Sequence, residues 1–599
     1  MTHSRLGNTS STPAVRPGQA RAWALTATAT LTSWRALLPT AGLTALLVYL
    51  AITPLPPFAA DPYGSLTRRY AVLGALLVGY VGWLIAQRRL PRRSVFDLPL
   101  AAVTLAVLVA VGGSIDPRLS LEHVLPLLPT LVLFYVLHDV VALDGRRLAW
   151  AVLLAVAVVA VFALASVWRS LDDWWTLVRA VDGGLSRATL LPPSTPRVAD
   201  VGNHPNVLAA VLAMALPAAL LLWTENADRR VRAVVVLAAF LIAAALFFTL
   251  SRAAWAGAIA GLVVTVGGYV VAGRGRIHAP RWVWVVLIAV ALVIALAALW
   301  LLASGARPEW LFRDSLGPRA DMRRAGWEMF LDNPLTGAGP GLYVALYPLY
   351  GGAYPFAAVH SHNIVVQTAL DTGLLGLLAG GLLLVAILVV VVRGLRSAGR
   401  TSRHLTAVAA GMLAAGLVHA LADSPQLFPE VQALGVVALV MLTRSVEPAP
   451  GTGPASLIPL RLAQWLPRSV RVAGWSGPAL AVLLAVVLPV AWLVTSRAHL
   501  AHSESVALAG EGRWPEAVAA AERAVARDER MAAYWSQLGA AHAAAAIDGD
   551  RRAEQQAALD ALRRGLELEP HNGAALVNYA ALSVVLDRPE VAREALPAL

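Results

Sequence analysis

The chain has 599 residues, of which 58% are hydrophobic and only 14% charged, against roughly 25% charged in an ordinary soluble domain, which excludes a soluble globular enzyme. The net charge of +12 comes entirely from Arg, the 48 basic residues including no Lys. It gathers in short segments between apolar stretches, as in cytoplasmic loops, so no nucleic acid partner is expected. There is no Cys, hence no disulfide framework, thiolate metal site or cysteine nucleophile.

Residues 1–35 begin with Ser, Thr, Gly, Pro and Arg without apolar periodicity and are expected to form a disordered cytoplasmic tail, not a cleavable signal peptide. Apolar spans then lie at 36–53, 70–87, 96–113, 121–140, 148–168, 205–223, 232–250, 252–272, 282–303, 364–393, 404–421, 430–443 and 478–496. Most approach the roughly 20 residues that cross a hydrocarbon core about 30 Å thick. The fold class is therefore all-α: a polytopic membrane protein of about thirteen transmembrane helices, twelve to fourteen by the weakest spans, the fourth and twelfth. With the N-terminus inside, every cytoplasmic turnaround is Arg-rich: Arg88, Arg89, Arg92 and Arg93; Arg146 and Arg147; Arg229, Arg230 and Arg232; Arg274, Arg276 and Arg281; Arg393, Arg396, Arg400 and Arg403. Arg444, Arg461, Arg468 and Arg471 mark the last, as the positive-inside rule requires.

These spans divide the chain into a membrane domain at 36–443, a cytoplasmic linker at 444–477 and a last transmembrane helix at 478–496. Residues 497–599 are a separate soluble domain, which the odd helix count puts outside. Its Ala-, Glu- and Arg-rich sequence repeats: Ala517, Ala558 and Ala592 occupy equivalent places, and Gly539 and Ala580 are 41 apart. A 34-residue period with a seven-residue insertion near Ile547 to Arg552 accounts for these spacings. Trp535, Leu538, Gly539, Ala558 and Pro570 fit the tetratricopeptide (TPR) pattern of a soluble α-solenoid. Two and a half repeats are near the minimum for such a stack, so it needs a cap from its neighbour or from a protein partner. Because the repeats share no polar motif with the membrane part, truncation after about Arg497 is expected to leave the latter folded.

The chemistry then belongs to the outward loops. The loop 304–361 interleaves Trp310, Trp327, Phe330, Tyr343, Tyr347, Tyr350, Tyr354 and Phe356 with Arg313, Arg319, Arg323, Arg324, Asp321, Glu328 and Asp332. Such a surface serves equally as an aromatic belt at headgroup depth and as a platform for an amphiphilic glycolipid. Directly after it, His360, Ser361, His362 and Asn363 lead into an apolar helix containing Gln367, Asp371, Gly373 and Gly376. Polar residues at a membrane-helix entrance are costly and mark a candidate site. Positions 363, 367 and 371 share one helix face, and a histidine there can take a proton near neutral pH. A helix cap is the plainer alternative. His360 and His362 could also pair on a metal, but no Cys and no third ligand accompany them, so no metal is expected. Ser251-Arg252 occupies a tight outer turn, where the Arg meets a phosphate, a buried partner or interfacial water. Asn203-His204-Pro205-Asn206 opens another helix, Pro205 suiting its first turn.

The segment from Arg323 to Tyr347, with Arg324, Trp327, Asn333, Pro334, Gly337, Gly339, Pro340 and Gly341, followed by His362-Asn363, nine residues and Gly373-Leu-Leu-Gly376, resembles the signature of the O-antigen ligase superfamily. Ser251-Arg252 and Asn203 to Asn206 are similar to its pattern too, and the resemblance covers about 200–440. It implies a membrane glycosyltransferase that takes a glycan from a polyprenyl (undecaprenyl) diphosphate carrier outside the cytoplasmic membrane, in cell-surface polysaccharide or lipopolysaccharide biosynthesis. By position, His362 resembles the catalytic histidine, and Arg252 with one of Arg323 or Arg324 the arginines that hold the diphosphate. Asn363, Gln367, Asp371 and Asn206 are supporting residues; Asp371 departs from the Glu that many members carry. The acceptor hydroxyl would lose its proton to His362 while arginines hold the leaving diphosphate, without metal or cofactor.

The expected partners are this donor, membrane lipids, a lipid, glycan or protein acceptor, and a protein bound by the repeats. A polymerase or a protein O-oligosaccharyltransferase of the same fold remains open. A polysaccharide transporter or flippase would instead need polar groups at midplane depth, where the spans are nearly uncharged, and a catalytically idle scaffold displaying the repeats is the remaining reading.

Overall fold

The computed structural model describes residues 62–139, 145–180, 205–226, 228–272, 316–350, 359–397, 399–446, 476–546, 551–570, 573–588 and 590. The expected tail 1–35, the spans 36–53 and 282–303, most of the linker 444–477, and Asn203, His204 and Ala592 lie outside them. Among the described residues the chain is helical, without strands. In chain order the helices are α1 Pro62–Gln87, α2 Asp97–Gly112, α3 Pro117–Val124, α4 Pro129–Asp139, α5 Gly145–Ala180, α6 Pro205–Glu225, α7 Arg229–Phe248, α8 Arg252–Ala272 and α9 Leu316–Asp332. They continue as α10 Tyr343–Tyr350, α11 Ile364–Leu395, α12 Arg400–Ala420, α13 Pro429–Val446, α14 Ser476–Gly510, α15 Trp514–Arg527, α16 Ala532–Ala545, α17 Arg551–Leu568 and α18 Gly573–Val585.

Among the described residues nine segments are long and apolar enough to cross a membrane, with Pro117–Asp139 taken as one. That segment, expected as a single span at 121–140, is broken. Pro126 and Pro129 offer no backbone N–H, and the intervening chain tightens into turns, Leu127 N donating to Val124 O at 2.8 Å and Thr130 N to Leu127 O at 3.0 Å. The expected span at 96–113 is α2, whose 16 residues rise only about 24 Å. Helices α8 and α12 run antiparallel at close quarters. A Cβ on Gly257 would meet Ala415 O at 2.5 Å, one on Gly261 the Gly411 O at 2.6 Å, and one on Gly268 the Ala407 Cβ at 2.6 Å. Small residues allow this approach where lipid supplies no hydrophobic drive, and it brings the start of α8 to the end of α12.

Polar groups gather at the two ends of the bundle. At the Arg-rich end, Asp139 accepts from Tyr80 Oη at 2.7 Å, Arg92 N at 2.9 Å and Arg89 Nη1 at 3.3 Å. Glu225 at the end of α6 meets His404 Nδ1 at 2.8 Å, near the start of α12. The other end joins the starts of α6, α8, α11 and α13 to the end of α12.

Helix α14 runs unbroken from its apolar half past residue 497 into the repeat region, whose helices pack consecutively. A Cβ on Gly539 of α16 would lie 2.6 Å from Leu562 Cγ of α17. The region packs onto the membrane part. Leu119 of α3 and Leu342 complete a core made by Ala498, Ala521, Tyr534 and Leu538. Arg118 donates through Nε to Asp528 Oδ2 at 2.8 Å and through Nη1 to Glu122 Oε2 at 2.8 Å. His499 Nε2 lies 2.9 Å from Glu122 Oε1. The pairs of Arg118 with Asp528 and Glu122 with His499 are some 400 positions apart in sequence, so no local motif announces them.

Candidate active site

The site is built on the entrance of α11. Asn363 is its N-cap: the side-chain oxygen accepts from Val365 N at 2.9 Å and Val366 N at 3.1 Å, satisfying donors that a helix start leaves open. Its amide also donates to Leu421 O at 2.9 Å, fastening the entrance to the end of α12. His362, just before the cap, has φ +54°, a backbone state uncommon for a residue with a Cβ. The neighbours hold it there. Ser361 N donates to Gln367 Oε1 at 2.8 Å, and Gln367 Nε2 donates to Asp371 Oδ2 at 2.9 Å. The 363, 367 and 371 face is thus a cap and a two-step brace under the histidine.

Below the brace α11 is interrupted at Gly373, with φ +62° and ψ −157°. The glycine loop after α9 fills the break: Leu374 N donates to Pro334 O at 2.8 Å, and Ala338 N to Leu370 O at 2.8 Å. A Cβ on Gly373 would lie 2.3 Å from Leu335 O, so only glycine fits. The spacing between His362 and Gly373 is the length of helix between the mouth and this joint. On its far side the loop reaches the turn before α3, Ala338 O accepting from Ile115 N at 3.0 Å.

Sequence reasoning missed the residue at the centre of the site. Asp423, in the turn after α12, is 3% exposed, and its Oδ1 lies 2.9 Å from His362 Nδ1. Ser424 N donates to the same oxygen at 2.8 Å, Asn206 Nδ2 donates to Oδ2, and His360 Nε2 and His419 Nε2 stand at 3.9 and 4.0 Å. Burial pushes the carboxyl up, but the hydrogen bond and charge of His362, the charge of His360 and the Ser424 N–H together hold it below the usual carboxylate range. An ionised carboxylate only accepts, so His362 Nδ1 donates, and in the neutral ring Nε2 carries the lone pair. The available signal was His419, an ionisable residue near the end of an apolar span, four positions before an Asp.

The predicted arginines separate. Gly326 is the contact point of α9 on α11, a Cβ there meeting Val366, Leu370 and Ser361. At 3.6 residues per turn, Arg319 and Arg323 lie near the Gly326 face and Arg324 on the opposite one. Arg324 pairs with Glu328 at 3.2 Å, both about half exposed. Arg319, one of the charges in the outer loop and not singled out for the diphosphate, donates from Nη1 to Ala422 O at 3.3 Å, beside Asp423. Arg252 is exposed at the first position of α8, at the same end of the bundle as Asp423. Asn206 joins the site through Asp423. The premise that the two loop histidines lack a third metal ligand does not hold, since donor atoms of His360, His362 and Asp423 lie within 4.8 Å of one another.

The family model described as O-antigen ligase matches residues 237–381. That stretch holds Arg252, Arg323, Arg324, His362 and Asp371, and leaves out Asn206 and Asp423. No curated protein matches the chain.

Proposed function

We propose that this polytopic membrane protein is a glycosyltransferase of O-antigen ligase type, carrying a glycan from a polyprenyl diphosphate to an acceptor hydroxyl on the outer side of the cytoplasmic membrane, in cell-surface polysaccharide biosynthesis. The observation that supports it most is the His362–Asp423 pair at the mouth of α11, adjoining a stretch similar to O-antigen ligases. With Asp423 holding Nδ1–H, Nε2 of His362 is the general base. It takes the acceptor's proton as the acceptor oxygen bonds to the anomeric carbon. The carbon–oxygen bond to the diphosphate breaks, and the carrier leaves with the electron pair. Arg252 and the Arg319–Arg323 face of α9 are the cations for that leaving charge, guanidinium forks matching phosphate oxygens. Such a base contributes about 10² to 10⁴ in rate, and fixed cations facing developing charge add to it. No metal enters the reaction.

Purified protein, polyprenyl diphosphate glycan and a panel of lipid, glycan and protein acceptors test this directly: glycan should move in the presence of chelator, and His362→Ala should leave donor untransferred. The orientation rests on the Arg-rich turns. In intact cells an impermeant thiol reagent should label Glu522→Cys in the repeat region and spare Ser397→Cys until the membrane is breached. The reverse pattern would invert the orientation.

A further inference from the structure

His360 has no part in the transfer just described, yet it stands edge-on to His362 with ring centroids 4.2 Å apart and an interplanar angle of 69°. Ser361 between them is fully buried and tied to Gln367, and both imidazoles reach Asp423. We propose that His360, His362 and Asp423 form a binding site for a divalent transition-metal ion of the zinc class, and that its occupancy switches transfer off. The inhibitory half rests on His362 being the base; the binding half stands without it.

The donor set fits the ion. Two imidazoles and a carboxylate suit zinc, cobalt or nickel, whereas magnesium and calcium prefer all-oxygen shells. Tetrahedral zinc with bonds of about 2.0 to 2.2 Å sets its donors roughly 3.4 Å apart. The separations of 2.9 Å from His362 Nδ1 and 3.9 Å from His360 Nε2 to Asp423 Oδ1 straddle that value. Asn206 and the Ser424 N–H already fix the carboxylate, the kind of outer support that ligand groups need. Three protein ligands leave one position for water or a substrate oxygen.

Inhibition follows from the tautomer. A metal on Nδ1 displaces the proton that Asp423 accepts, so a neutral His362 carries its one proton on Nε2 and has no lone pair for the acceptor. The ion also engages the carboxylate that would otherwise balance the imidazolium.

The test uses the full chain in detergent, stripped of metal and titrated with zinc, and with cobalt for its visible spectrum. One ion per chain should bind saturably, unaffected by magnesium. His360→Phe, which keeps a ring against His362, and Asp423→Asn should each weaken binding by about tenfold or more. Zinc should inhibit transfer with the midpoint at which it binds, and His360→Phe, compared with its own zinc-free rate, should need about tenfold more. Absence of saturable binding, binding indifferent to both substitutions, full transfer at saturating zinc, or transfer that requires zinc would each overturn the proposal. Zinc binding that depends on His360 in a protein without transfer activity would sustain the site and overturn only the proposed function.

Discussion

His362 and His499 each place a ring nitrogen 2.9 Å from a carboxylate oxygen, and the difference between the two pairs lies in what surrounds the second nitrogen. The His362 side chain is 19% exposed at a helix mouth. That of His499 is fully buried midway along α14, and its partner Glu122 is also bound by Arg118. A base must present a lone pair to a reactant, which a sealed ring cannot do. The His499–Glu122–Arg118–Asp528 cluster instead fastens the C-terminal helices to α3. Proximity to a carboxylate therefore does not by itself mark a candidate base; exposure of the ring at a helix mouth is what separates these two pairs.

Substitutions on each side can break that comparison. His362→Ala should lower transfer per folded molecule by about 10² to 10⁴, while thermal unfolding of the detergent-solubilised protein should report only the about 1 to 3 kcal/mol that its bond to buried Asp423 contributes. A matching loss of stability would make His362 structural. Glu122→Ala should do the opposite, costing about 3 to 5 kcal/mol of stability by stranding buried Arg118 and His499, while transfer per folded molecule changes far less. Asp423→Asn sharpens the contrast because it touches both properties. Transfer should fall about 10²-fold as the ring loses its ionised partner, and stability should fall at neutral pH. The sign follows from a carboxyl held low: its contribution is present above about pH 4 and is lost in stronger acid, where variant and wild type should converge. Among the arginines, Arg319→Ala should raise the donor KM about tenfold, as loss of a charged contact does, whereas Arg324→Ala should stay within about 0.5 kcal/mol, its exposed pair with Glu328 being worth little. Equal effects from both would remove the distinction between the two faces of α9.

What could be read from the sequence was local. Apolar spans, the Asn363 cap and the face of 363, 367 and 371 depend on residues within a turn or two of each other, so periodicity exposes them. The break at Pro126 and Pro129 was also visible, but the apolar run around it outweighed the two prolines. Asp423 was hidden because its partners lie 61 residues back at His362 and 217 back at Asn206, and a lone Asp in a short loop has no pattern. The ambiguity between Arg323 and Arg324 needed the facing of α9, which the packing of Gly326, Ala325 and Met329 against α11 supplies. The joint of Arg118 with Asp528 spans 410 positions, and neither residue looks unusual in its own segment.

That joint also sets the order in which the protein can be completed. Ribosomes release the chain from its N-terminus, and domains ordinarily fold as they emerge. Here α3 and the glycine loop wait for residues beyond 498 to cover Leu119 and Leu342, so most of the bundle is inserted before its last core exists. Through the glycine loop, that late core is continuous with the kink of α11 and the brace beneath His362. A chain stopped short in synthesis would therefore reach the membrane with Leu119 and Leu342 uncovered.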